Sequence, residues 1–153
     1  MYVKWSLLML IRGFLILILL LLLLMQGRVN AADVCRLEKT RVVAISGDPG
    51  EKGWAEVKPR EMKIAPGTCV VWVNWAEGPQ ISVVFQEGKV CHDVTRAPTG
   101  FSLNNQRCYV SSFLPQGGTS SLKFTKEGTF NYEVVFGGGR AVKCKLIVQK
   151  QEN

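Results

Sequence analysis

Residues Lys58 to Trp75 read KPREMKIAPGTCVVWVNW, and GPQISVVF follows from Gly78 to Phe85. Pro66-Gly67 sits between two β-rich runs; proline pre-sets φ for a tight turn and glycine accepts the positive φ that completes it. Thr68 to Trp75 is rich in β-branched and aromatic residues, which suit a pleated, half-buried surface. Outward from this block the same pattern repeats, and no helical periodicity is sustained over three turns. Strands are predicted over Arg41–Ser46, Ala55–Ile64, Cys69–Trp75, Ile81–Gln86, Cys108–Phe113, Ser120–Thr125, Thr129–Val135 and Ala141–Gln149. In the last of these Cys144, Leu146 and Val148 alternate with Lys143 and Lys145, so Cys144 is expected to point inward. Seven or eight short strands in roughly 110 residues predict an all-β, Greek-key β-sandwich.

The first 31 residues are of another kind. Phe14 to Met25 contains no polar residue, Lys4 and Arg12 are basic, and Val29-Asn30-Ala31 is a small-residue exit followed by Ala32. That is the layout of a secretory signal with cleavage near Ala31 or Ala32. Trp5 to Met25 is also close to the roughly 20 residues that span a bilayer, so the competing expectation is a retained membrane anchor. The domain boundaries follow: 1–31 signal peptide or N-terminal anchor helix, 32–153 sandwich. In either case the sandwich is expected in the periplasm or outside the cell, touching the membrane only through an uncleaved leader. Removing the leader takes away Lys4, Arg12 and Arg28, which leaves sixteen basic against twelve acidic residues, a net +4. These charges are scattered rather than clustered, which argues for a solvated surface and against nucleic acid as partner.

All five cysteines, Cys35, Cys69, Cys91, Cys108 and Cys144, lie in the exported part, where disulfides persist. None shares C-x-x-C spacing, which disfavours zinc ribbon, dithiol redox motif and haem attachment. Sequence alone leaves the pairing open. The preferred bridge is Cys91–Cys108, because it would close the Pro- and Gly-containing loop HDVTRAPTGFSLNNQR. The residues before Cys35 do not resemble a lipoprotein cleavage box, so lipid attachment there is a minor option.

Two blocks, Lys58 to Phe85 and Gly118-Thr119-Ser120 through Gly128-Thr129-Phe130-Asn131-Tyr132 to Val148, resemble the cupredoxins, the small exported blue-copper proteins of plastocyanin type. The resemblance implies a cupredoxin-like sandwich with a type 1 copper site of two histidines, a cysteine and an axial methionine, a mix of soft sulfur and borderline nitrogen that suits both copper oxidation states. Carried onto this chain, those ligand positions are Gln80, Val134, Gly137 and, approximately, Val142. None carries the family's ligand. His92 is the single histidine, so a His₂Cys centre within one chain is impossible.

Other constellations are thin. His92 beside Cys91 is a weak metal candidate with Asp93. Ser111-Ser112 and Ser120-Ser121 have no acid and base spaced for a triad, Glu51 with Glu56 and Glu87 with Asp93 read as solvated loop charges, and Gly137-Gly138-Gly139 reads as a hairpin turn. No catalytic constellation is found, and an enzyme is not expected. Trp72 and Trp75, three apart in a strand, face opposite ways: one belongs to the core, the other to the sandwich end beside Gln80 and the glycine loop. By the resemblance that end, with Trp75, Pro79, Gln80 and Phe136, is a surface for a protein partner. The sequence therefore reads as an exported cupredoxin-like domain without type 1 copper, an accessory or binding module of an envelope or redox complex, with no cofactor expected. The alternative is a copper-binding electron carrier or copper-handling protein with a rearranged site using His92, Gln80 and a free cysteine.

Overall fold

The structure is a computed structural model that describes residues 35, 39–48, 54–78, 80–85 and 91–150; the expected leader lies outside them. Among the described residues, eleven strands and one helical turn follow in order: β1 (Thr40–Asp48), β2 (Trp54–Lys58), β3 (Glu61–Ile64), β4 (Thr68–Asn74), β5 (Ile81–Phe85), α1 (Cys91–Val94), β6 (Thr95–Thr99), β7 (Phe101–Leu103), β8 (Tyr109–Ser111), β9 (Thr119–Phe124), β10 (Gly128–Phe136) and β11 (Ala141–Val148). They form two facing sheets, β2-β1-β4-β9-β6 and β3-β11-β10-β5-β8-β7. Both are mixed: β1 with β4 and β11 with β3 run parallel, and the other pairs are antiparallel.

All eight predicted segments contain strand, but the count of seven or eight is too low for two reasons. The single strand expected over Ala55–Ile64 is two, β2 in one sheet and β3 in the other, with the cis Lys58-Pro59 bond and Arg60 between them. Pro59 has no N–H to offer a ladder, so the chain leaves the first sheet there and enters the second. The stretch read as a loop between Cys91 and Cys108 likewise holds β6, on the edge of one sheet, and β7, on the edge of the other. Gly100 is the corner between them: it has φ +70, and a Cβ there would meet Ser120 Cβ at 3.2 Å.

Strand alternation builds the core. On β10, Phe130, Tyr132, Val134 and Phe136 point inward; on β11, Cys144, Leu146 and Val148 do; on β4, Val70 and Trp72 do. Trp72 is fully buried and meets Phe85, Phe101 and Tyr132 of the opposite sheet edge-on at 5.5–5.7 Å between ring centroids. Rings in that geometry add about 0.5–1.5 kcal/mol per pair beyond the area they bury.

A disulfide joins Cys35 to Cys69, with 34 residues of separation and Cα atoms 5.6 Å apart. Its sulfur chemistry excludes the lipid-attachment option for Cys35, whose thiol is consumed. The preferred Cys91–Cys108 pairing falls on Cys91, whose side chain lies outside the described residues; Cys108 is buried, and its N–H donates to Asn104 Oδ1 at 2.9 Å. Reducing the Cys35–Cys69 bridge, or replacing both cysteines by alanine, is expected to lower stability by about 2–4 kcal/mol, because the unfolded chain regains the freedom of a long loop. Urea unfolding of the oxidised, reduced and double-alanine forms checks this.

Candidate functional site

One end of the sandwich gathers the positions that the resemblance assigns to copper. Ile81 opens β5, Phe136 closes β10, and the two are in register. Leu114 bridges to Ile81 through both backbone bonds, N–H to carbonyl at 2.8 and 3.2 Å. The β10–β11 hairpin turns over Gly137 to Gly139, held by the Phe136 N–H to the Arg140 carbonyl at 2.7 Å.

Asn74 ties this end together. It is fully buried at the end of β4, its side-chain Nδ2 donates to the Leu114 carbonyl at 2.9 Å, and its Oδ1 accepts from the Ala76 N–H at 2.9 Å. Its backbone also bonds the Pro115–Gly118 turn in both directions, Asn74 N–H to Gly118 O at 3.0 Å and Gly117 N–H to Asn74 O at 2.7 Å. Gly118 allows that approach, since a Cβ would stand 2.8 Å from the Pro115 carbonyl oxygen.

The four degenerate ligand positions do not converge on a donor set. Val134 is fully buried and lies in register between Val83 of β5 and Val142 of β11. Gln80 and Gly137 are exposed. A type 1 centre needs a thiolate and two imidazoles; the place of the thiolate holds an isopropyl group packed in hydrocarbon, so the residues present do not fit the ion. Among the described residues no three His, Cys, Asp or Glu side chains are grouped as a metal would require. The side chain of His92, on α1, lies outside the described residues, as does Pro79.

The two tryptophans divide as expected: Trp72 is core and Trp75 is 60% exposed. Phe136 corrects the expected surface. The inward alternation of β10 buries it, so it lies beneath the tip rather than on it. Phe113, 69% exposed and next to the Leu114 that Asn74 holds, is the aromatic that the sequence reading missed. Its signal was present in SSFLP: Ser111 faces inward and Leu114 anchors the turn, which leaves Phe113 nowhere to go but out. The serines are structural in placement. Ser111 Oγ accepts from the Val83 N–H at 2.8 Å, and Ser120 is buried in β9.

Cys144 resolves as a small buried hydrophobe and not a bridge. It stands across the ladder from Tyr132, and its thiol contacts the Val142 carbonyl at 3.7 Å. Burial pushes the thiol up to about 11, against the opposing pull of the Tyr132 hydroxyl and of Arg60. Burial, and Cys144 beside it, also raise Tyr132 above the usual phenol range. Such a thiol is protonated and shielded, the reverse of a soft-metal ligand or nucleophile.

No family profile matches the chain, and no curated protein does. Solved structures do. The chain is similar to amicyanin from Paracoccus versutus at 20% identity, covering 78% of this chain and 89% of that one with a TM-score of 0.48. It is similar to a purple cupredoxin from Nitrosopumilus maritimus at 19% identity, covering 71% and 98% with a TM-score of 0.47. A copper-containing nitrite reductase from Thermus scotoductus gives 15% identity over 73% of this chain, 23% of that chain and a TM-score of 0.46. What the chain's own structure shows is an all-β sandwich of two mixed sheets. In this chain the positions that the resemblance assigns to copper carry Gln80, Val134 and Gly137.

Two outcomes follow for this end of the molecule. Asn74→Ala should cost about 2–4 kcal/mol in urea unfolding, since the Leu114 carbonyl and Ala76 N–H lose their buried partner. For Cys144 the folded thiol keeps a proton that the unfolded chain releases, so its contribution is fully present below the ordinary thiol range and is lost as pH rises through about 11. Stability should fall by roughly 2 kcal/mol across that window, and Cys144→Ala should flatten the slope.

Proposed function

We propose that this protein is an exported binding module built on a cupredoxin-like sandwich, working without type 1 copper as an accessory to a redox or envelope complex. One observation carries the reading: the position where the resemblance places the copper thiolate is Val134, fully buried between Val83 and Val142, so packing occupies the place of coordination. Above that filled pocket the tip keeps an apolar, aromatic character, with Trp75 and Phe113 both more than half exposed. Exposed aromatics over a rigid, hydrogen-bonded base are common at protein-binding surfaces. The Cys35–Cys69 bridge supports an oxidising compartment, in line with the secretory leader read from the sequence.

Copper titration tests the reading. The exported protein should show no intense thiolate-to-copper charge-transfer band and no tightly held ion at about one per chain. A visible band in the parent protein, or tight stoichiometric copper, would overturn the proposal.

A further inference from the structure

Basic residues that are scattered along the sequence collect at one end of the fold, the end opposite the tip. There β1 begins at Thr40 beside Cys69, β4 begins at Thr68 beside Phe124, and β11 ends at Val148 between Gly128 and Ile64. The turns 65–67 and 125–127 each pass from one sheet to the other here, and the Gly67 N–H bonds the Phe124 carbonyl at 2.6 Å. Exposed Lys39, Arg41, Lys63, Lys126 and Lys150 all stand within two residues of these strand ends. Arg41 is in register with inward Val70 and shares the parity of buried Val43 and Ile45. Its charge therefore belongs to the end of the sandwich and not to an outer sheet face.

The ion pairs Lys58–Glu56 and Lys145–Glu61 take in none of these five, and the Arg41 guanidinium donates to a neutral group, the Thr40 carbonyl, at 3.2 Å. Glu127, next to Lys126, is the exposed acid among them. Asp93, Arg96 and Lys123 share this end but are already engaged within the chain, which leaves, among the described residues, five basic groups against one acid. The tip differs: exposed Glu77 and Arg140 offset each other there, and the exposed aromatics Trp75 and Phe113 lie there too. Single-stranded nucleic-acid sites interleave basic groups with such rings, and here the two are at opposite ends. Four of the five are lysines, compact hydrated charges that meet phosphate without the bidentate fork by which arginine reads a base. Cys35, bonded to Cys69 at this end, follows Ala31 by only four positions, so a chain still joined to its apolar leader arrives here from the bilayer.

We infer that this basic end rests on a bilayer containing anionic phospholipid, with Lys39, Arg41, Lys63, Lys126 and Lys150 turned to the headgroup phosphates. Each basic group close to such a surface strengthens binding about fivefold. The attraction reaches only about a Debye length, roughly 8 Å at physiological salt, so it acts on the end that abuts the lipid and not on the tip. Seated in this way, the sandwich holds Trp75 and Phe113 away from the membrane, where a protein partner can reach them. The inference goes beyond the binding role proposed above and does not rest on it. Nor does it require an uncleaved leader, because the charges belong to the sandwich.

Cosedimentation of the protein as exported tests this, with vesicles of phosphatidylcholine alone and of phosphatidylcholine carrying about one third phosphatidylglycerol. Binding to the charged vesicles should be at least about tenfold tighter, and about 0.5 M sodium chloride should remove the difference. Lys126→Glu and Lys150→Glu should each weaken binding to the charged vesicles about tenfold or more. Arg140→Glu makes the same change of net charge at the tip and should leave that binding within about twofold. Circular dichroism and urea midpoints establish that each variant is folded. Equal binding to both vesicles, a difference that salt does not touch, or an equal loss in Arg140→Glu would overturn the inference. So would binding to double-stranded DNA in place of the charged vesicles, which would assign the end to nucleic acid. Protein that ignores both vesicles and takes up no copper would sink the membrane contact alone, whereas vesicle binding together with tight copper would sink the copper-free reading alone.

Discussion

Trp72 is the side chain on which the two layers depend. It leaves β4 in one sheet and enters a slot made by Phe85, Phe101 and Tyr132, which come from three strands of the other. Around it Phe85 touches Phe124 and Tyr132, and Phe124 touches Phe130, so the aromatic contacts run across both layers without a break. The indole nitrogen of Trp72 is buried beside Tyr132, whose hydroxyl is the polar group that acts on it.

Much of this was legible because alternation leaves a two-residue imprint. The inward rows of β4, β10 and β11 could be assigned from Val70-Trp72, Tyr132-Val134 and Cys144-Leu146, since a burial pattern with period two has no other explanation in such short segments. What stayed hidden depends on partners distant in sequence. TRAPT, which becomes β6, has no alternation and contains Pro98, tolerable only because the strand lies on a sheet edge. The pairing of Cys35 with Cys69 follows from the parallel register that sets Thr40 beside Cys69, and no local signal encodes that register. Phe136 was misplaced because it adjoins a glycine loop, whereas its own strand parity already pointed it inward.

The tip is held by hydrogen bonds rather than by ring packing. Asn74, Gly118 and Leu114 still fix the loops there by buried hydrogen bonds, although Val134 beneath them offers no donor atom. Rigidity at this end rests on the side-chain and backbone hydrogen bonds of one asparagine, and the positions that the resemblance assigns to copper take no part in it.

The crossings at Pro59 and Gly100 bear on how such a chain can assemble. Trp54–Ile64 borders both sheets on one side and Thr95–Leu103 borders both on the other, so neither layer can be completed before its opposite has begun. Added to the parallel β1–β4 and β11–β3 pairs, whose members are joined only through long intervening chain, this gives a topology dominated by remote contacts. Chains of that type fold slowly, on the order of milliseconds to seconds, because loop-closure entropy is lost before the remote contacts compensate for it.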